Sequence, residues 1–240
     1  MRVYYTSKIK YHINNISGRV FKYLTDEFIL VSKGELISGK KKKILFEEKS
    51  TVIHNGIEKP IVNKIKNEKL TNIVTISRFD FSKNMQLAYE IAYAFRKNSN
   101  IKFTWIGDGD DMKGLKEKAN IQKVNIDFIG FTTNPLEYLA KGSIYLSTSR
   151  FEGLPYALIE AASLGIPIIA TDVVGNNECV NNHVNGFLFD TAENAVKYIK
   201  ICINNPSLIK KMSNASLQYY EENFTITKMI NKLLLIYSKY

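Results

Sequence analysis

The sequence predicts an α/β fold, a doubly wound parallel sheet carrying helices on both faces. From residue 71 onward, short β-branched runs alternate with helical patterns. Those runs are apolar on both faces, as strands covered from both sides must be. Of the 240 residues 45% are hydrophobic, enough for a substantial core.

The elements follow in order. TNIVTIS (71–77) reads as a strand, a helix runs from about Asn84 to Lys97, IKFTWI (101–106) is the next strand, and a helix spans about Asp110 to Ala119. VNIDFI (124–129), a short helix near 134–140 and SIYLST (143–148) continue the alternation. A helix over 155–164 then opens on Pro155, which the first turn tolerates, and ends at Gly165 and Pro167 before IPIIAT (166–171). Residues 191–240 read as helical, with Pro206 between two segments and the amphipathic FTITKMINKLLLIYSKY at the end. In such a sheet, ligands bind at the carboxyl ends of the strands.

Residues 1–59 offer a helix at Gly18–Leu24, a strand at Glu27–Val31, a helix broken at Gly39 and a strand at STVIHNG. That is too little sheet for a full domain. The expected organisation is a partial N-terminal segment (1–59), a linker (60–69) marked by Pro60 and alternating Lys, Asn and Glu, and a sheet domain with C-terminal helices (70–240).

The charge narrows the partners. Thirty-three Lys and Arg against twenty-three Asp and Glu give +10, which favours phosphates, nucleotides or acidic surfaces. Aromatic residues follow strands and helix faces instead of interleaving with a basic stripe, which argues against nucleic acid. Cys179 and Cys202 have no metal-ligand spacing and suggest no disulfide scaffold, so a cytoplasmic setting is expected. No apolar run approaches the roughly 20 residues that cross a bilayer, and MRVYYTSKIKYHINN lacks the apolar core of a signal peptide. Any membrane contact is expected to be peripheral. Lys40–Lys43 read as a solvated loop, and His12, His54 and His183 stand isolated. Gly107-Asp108-Gly109 lacks the third glycine of a dinucleotide fingerprint, Met112 standing in its place, and reads as a turn lining the cleft.

Two stretches carry chemistry. In SRFEGLPYALIEAASLGIPIIA (149–170), the helix N-terminus and Gly153 present backbone N–H groups suited to a phosphate. Glu152 stands before that site, and Glu160, nearly two turns in, is placed to accept hydrogen bonds from ribose hydroxyls. A helix-dipole carboxylate and a solvated helix residue are the alternatives for the two. In TISRFDFSKN (75–84), Arg78 follows a strand and Lys83 precedes a helix, so both cations fall at the same sheet edge, as a diphosphate needs. The alternative pairs Arg78 with Asp80 and leaves Lys83 on the surface.

With these residues in place, the chain resembles the retaining family-4 glycosyltransferases of the GT-B fold. The first stretch is similar to their E-x7-E motif and the second to the Arg/Lys motif that precedes it. WIGDGDDMKGLKEKA, IDFIGFTTNPLEYLAKGSIYLSTS and VVGNNECVNNHVNGFLF match the family in order and spacing. The likeness covers about residues 70–240 and extends to 27–58.

The resemblance implies a Rossmann-like, donor-binding C-terminal domain of GT-B type. Arg78, Lys83 and the backbone of Gly153 and Leu154 would hold the donor diphosphate, Glu160 the ribose, and Glu152 the transferred sugar as catalytic residue. Gly130 and Phe131 would lie against the base. Ser77 and Asn84 stand where the family often has Gly, a departure that touches the local backbone and leaves both cations in place. The implied reaction is a hexosyl-type transfer from a nucleotide-diphosphate sugar to a glycan or lipid-linked acceptor, with retention and without metal or cofactor. Bacterial surface polysaccharide, lipopolysaccharide or capsule synthesis is its expected setting, in the cytoplasm or peripherally on the cytoplasmic face of the membrane.

The family closes its site between two domains, so residues 1–59 imply an N-terminally shortened chain. A partner chain supplies the other half, the chain is a remnant, or the sequence is only part of the protein. A last helix with Ile230, Leu233 and Leu234 partly uncovered is expected to follow. A non-catalytic nucleotide-sugar-binding subunit and a nucleotide-sugar epimerase are the alternative functions.

Overall fold

The computed structural model describes residues 8–62 and 70–239. Most of the expected linker, residues 63–69, lies outside them. The chain begins with α1 (Lys8–Phe21), β1 (Phe28–Leu30), α2 (Lys33–Lys42) and β2 (Ser50–Val52). The alternating part follows as β3 (Thr71–Ile76), α3 (Met85–Ala94), β4 (Ile101–Ile106), α4 (Met112–Gln122), β5 (Ile126–Gly130) and α5 (Pro135–Leu139). It continues through β6 (Ile144–Ser147), α6 (Tyr156–Ser163), β7 (Ile168–Thr171), α7 (Asn176–Cys179) and β8 (Gly186–Phe189). Three helices close the chain, α8 (Ala192–Ile203), α9 (Pro206–Asn223) and α10 (Ile226–Tyr237).

Six strands form one parallel sheet in the order β5-β4-β3-β6-β7-β8. The chain therefore starts in the middle, winds outward through β4 and β5, and returns beside its starting strand to wind the other way. This is the Rossmann-like order, and its reversal falls between β3 and β6. Those strands share only the pairs Ile73↔Ile144 and Val74↔Tyr145. Beyond them the backbones part and a crevice opens. The Tyr145 hydroxyl spans the gap, donating to the Ile76 carbonyl at 3.0 Å and accepting from the Ile76 N–H at 3.4 Å.

Side chains of a strand alternate between faces, and the two cores follow that alternation. Ile73, Phe103, Trp105, Leu146, Ile169 and Phe187 face α3 and α8. Val74, Tyr145, Ile168 and Ala170 face α6 and α9, meeting Leu158, Ala162 and Tyr220. Apolar neighbours such as Ile73-Val74 and Ile168-Ile169 thus serve opposite layers, as runs buried on both faces require.

Several boundaries differ from the sequence expectation. The first helix begins at Lys8, well before Gly18, and ends at Phe21. Gly39 does not break α2: it is buried where a Cβ would come 2.3 Å from Leu45 Cδ2, so it admits the returning chain. Lys40, Lys41 and Lys42 form the last turn of α2, where cations complement the carbonyl end of the helix; the expected loop is reduced to Lys43, the left-handed cap. β8 has no counterpart in the sequence reading, because GFLF is four residues long and lacks β-branched side chains. Its Gly186 is required, since a Cβ there would meet the Ile168 carbonyl oxygen at 1.9 Å.

β1 and β2 form a separate two-stranded parallel sheet. α10 joins this region to the rest: the Ile57 N–H donates to the Phe224 carbonyl and the Ile226 N–H to the Ile57 carbonyl, both at 3.0 Å. As expected for the last helix, Ile230 is 44% and Leu234 59% exposed, with Leu233 half-buried. Among the described residues, no helix is long and apolar enough to cross a membrane.

Candidate functional site

The crevice between β3 and β6 is shaped by the loops that leave them. After β3, Asp80 organises the turn: its Oδ1 accepts from the N–H of Ser82 at 2.9 Å and of Lys83 at 3.1 Å, and from the Ser82 hydroxyl. Burial alone would raise the Asp80 carboxyl, but the Ser82 hydroxyl, the Arg78 guanidinium and these N–H groups outweigh it and hold it below the usual range. Arg78 Nη2 lies 3.1 Å from Asp80 Oδ2, so the alternative pairing does form. The Arg78 side chain nonetheless remains 75% exposed at the mouth of the cleft.

Asn84 begins α3 in the left-handed conformation, φ 52° and ψ 50°. Glycine adopts that conformation freely, and asparagine is among the few other residues that tolerate it. Asn84 Oδ1 also accepts from Arg150 Nη2 at 2.8 Å. Arg150 further donates through Nε to the Phe81 carbonyl at 3.1 Å and through its N–H to the Ser82 carbonyl at 2.8 Å, while the Thr148 hydroxyl donates to the Lys83 carbonyl at 2.9 Å. These bonds zip the two motif segments together. Arg150 carries three of them and was not singled out in the sequence, where it is merely the residue after a serine.

The zipper brings Lys83 to Glu152. Lys83 Nζ donates to Glu152 Oε1, and the Ser149 hydroxyl donates to the same oxygen at 2.7 Å. The Lys83 and Glu152 side chains are only 23% and 12% exposed. Lys83 is therefore no surface lysine, and Glu152 answers a lysine besides standing near a helix start.

α6 starts one residue later than expected. Pro155 is its N-cap in extended conformation, so the proline ring removes no helical N–H. Among the described residues no acceptor takes the N–H groups of Gly153, Leu154, Tyr156 or Ala157. Glu160 is half-buried on α6, and burial pushes its carboxyl above the ordinary value. Its carbonyl accepts from the Ser163 hydroxyl, but among the described residues its carboxylate has no hydrogen-bond or ion-pair partner. A carboxylate in that state is an acceptor in want of donors.

Arg78, Asp80, Lys83, Asp110, Glu152 and Gly153 line an open cleft of about 640 Å³. Gly130 and Phe131 stand apart from it: they end β5, two strands from β3, and Phe131 is 79% exposed. Their link to the cleft is the Gly107-Asp108-Gly109 turn, whose Gly107 N–H donates to the Gly130 carbonyl at 2.9 Å. That turn lies so close to Ser77–Phe79 that a Cβ on Gly107 would come 1.9 Å from the Ser77 oxygen. Both cysteines are buried, with thiols pushed up by burial, Cys202 to about 11. No group of three His, Cys, Asp or Glu residues suited to a metal occurs among the described residues.

His54 is not isolated. Its Nε2 lies 3.0 Å from Glu178 Oε2, a partner 124 residues away that spacing in the sequence does not reveal.

The family model described as Glycosyl transferases group 1 matches residues 57–219. The capsular polysaccharide biosynthesis glycosyltransferase CapH of Staphylococcus aureus is 29% identical over 194 residues, 77% of this chain and 53% of the relative. An Escherichia coli galactosyltransferase, whose name gives UDP-Gal and a diphosphoundecaprenol-linked GlcNAc, is 27% identical over 79% of this chain and 54% of its own. The chain thus spans about half the length of these two curated relatives. Among solved structures, Anabaena HepE in complex with UDP superposes with a TM-score of 0.84 at 18% identity, covering 96% of this chain and 70% of that one. A glycosyltransferase from Rickettsia africae gives 0.80 at 20% identity, over 99% and 68%. At these identities, the structural likeness speaks for the fold.

Proposed function

The chain belongs to the group 1 glycosyl transferases, and on that premise we propose that it transfers a sugar from a nucleotide-diphosphate sugar to an acceptor hydroxyl, with retention at the anomeric carbon. The observation that carries this reading is the convergence at the sheet's reversal point of Lys83, paired with Glu152, the exposed Arg78 and the unclaimed N–H groups at the start of α6.

In this reading, Arg78 and Lys83 hold the diphosphate with the N–H groups of Gly153 and Leu154, and stabilise the charge that grows as the bond to the sugar breaks. Glu160 accepts from the ribose hydroxyls. Glu152, sharing Lys83 with the phosphates, faces the transferred sugar. Gly130 and Phe131 border the base from the far end of the Gly107–Gly109 turn. A phosphate oxygen of the leaving group takes the proton of the attacking hydroxyl on the same face. The protein's own cations meet the diphosphate charge, and neither metal nor cofactor takes part.

The names of the relatives support a bacterial polysaccharide or lipid-linked glycan as acceptor. In such a role the protein would work at the cytoplasmic face of the membrane, in peripheral contact. The domain division 1–59, 60–69 and 70–240 belongs to the same proposal.

Calorimetry with UDP, GDP and ADP sugars tests the reading. One of them binds, and Arg78→Ala and Glu160→Ala each weaken it at least tenfold; no binding, or binding indifferent to both variants, overturns it. Transfer or donor hydrolysis by the purified chain rules out a purely binding subunit, and an unchanged sugar configuration in the product pool rules out epimerisation.

A further inference from the structure

We infer that Glu178 is a positioning residue that latches the N-terminal lobe (β1, α2 and β2) onto the donor-site loop. Its carboxylate is claimed by that lobe from both ends. Glu178 Oε2 accepts from the Lys33 N–H and Oε1 from the Gly34 N–H, each at 2.9 Å, and Oε2 also meets His54 Nε2 at 3.0 Å. Lys33 and Gly34 are the first two residues of α2, and His54 follows β2. One side chain, 14% exposed, therefore ties together the two ends of the lobe across 124 to 145 residues of sequence.

The division of capping labour at α2 shows why the contact sets position. Ser32 caps locally, its hydroxyl accepting from the Glu35 N–H at 3.2 Å. The first two N–H groups, which no intrahelical partner can satisfy, go to Glu178, at the positive end of the helix dipole. A local cap makes a helix begin; a cap from a distant element also fixes where that helix lies.

What it lies on is the proposed site. Glu178 is held in the sheet domain, where the Tyr219 hydroxyl donates to its carbonyl at 3.2 Å and its neighbour Cys179 is buried. In the loop just before it, Gly175 sits at φ 88°, where a Cβ would come 2.5 Å from the Gly153 oxygen and 3.1 Å from Glu152 Cβ. A Cβ on Gly34 would meet Val174 Cγ1 at 2.4 Å, and Glu35 Oε1 lies 3.0 Å from where a Cβ of Gly153 would be. The first turn of α2 is thus seated against Val174 and Gly153, and lines one cavity with Glu152. Loss of the latch frees that turn to lift away from the sugar end of the site and leaves Arg78 and Lys83 untouched.

This inference rests on the donor-site reading above, and the experiment separates the two. Glu178→Ala and Glu178→Gln are prepared in the full chain, with Glu178→Gln, which keeps one acceptor oxygen, serving if Glu178→Ala is insoluble. Amide hydrogen exchange is followed in peptides spanning 31–37 and 150–156, beside affinity for UDP, GDP and ADP and turnover of the corresponding sugar donors. The latch predicts exchange at least tenfold faster in both peptides for Glu178→Ala, and intermediate for Glu178→Gln. Nucleoside diphosphate affinity stays within twofold of wild type while kcat falls at least tenfold. Unchanged exchange in either peptide overturns the latch, as does affinity that falls in step with kcat. If no nucleotide binds the wild-type chain, the donor reading fails, and exchange alone decides whether Glu178 seats α2 on the loop.

Discussion

Lys83 and Glu152 meet across 69 residues of sequence to form a largely buried ion pair at the point where the sheet reverses direction. Such a pair is held by mutual compensation: either charge left alone in that setting is costly.

Lys83→Met is therefore expected to lower stability by about 2 kcal/mol, less than for a fully buried pair because both groups keep some solvent. Lys83→Met with Glu152→Gln recovers most of that loss. Nucleoside diphosphate binding falls at least tenfold in the single variant and does not return in the double one. Urea denaturation and calorimetry on the two variants check both halves.

Glu160 predicts a pH dependence with a definite sign. Burial raises its native carboxyl above the ordinary 4.5, so the folded state binds the proton more tightly than the unfolded chain. The resulting stability is fully present below 4.5 and is lost as pH rises through the raised native value, about 1.4 kcal/mol for each unit of displacement. Glu160→Gln removes that loss. The stability of the variant minus that of wild type should grow with pH across this window and then level off, while nucleotide affinity falls about tenfold for want of a charged acceptor. A difference that stays flat with pH would contradict the burial argument.

Asn84 adopts a left-handed conformation that alanine pays for and glycine does not. Asn84→Ala should cost about 1–2 kcal/mol. Asn84→Gly should cost less, losing mainly the bond from Arg150. Thermal unfolding of the pair ranks them.

Cys179 and Cys202 are buried, with thiols held protonated by their surroundings. A thiol reagent at pH 8 should leave both unmodified in the native chain and react with both after unfolding. Rapid native labelling would show that one of these cores opens readily.

The sheet was legible because each inner strand is a run of apolar residues that serves both cores, a pattern that survives without knowledge of any partner. β8 was not, since GFLF is too short to announce itself and becomes a strand only through pairing with β7. That Arg78, Lys83 and Glu152 meet at one edge of the sheet was legible by spacing from strand and helix ends. Arg150 and Glu178 were not, because their work lies in bonds to segments far along the chain, which no local spacing encodes. Gly39 misled for a related reason: glycine commonly stops helices, and only the returning Leu45 shows that here it makes room.

The two paired positions joining β3 to β6 have a mechanical consequence. Each half of the sheet is one uninterrupted stretch of chain, so beyond those pairs the seam between the halves is closed by side chains, Tyr145 to Ile76, Thr75 to Leu146, Arg150 to Phe81 and Asn84, and Lys83 to Glu152. A molecule gripping Arg78 on one bank and Glu152 on the other would act as a rivet across that seam, and the empty protein would be the more pliable of the two states.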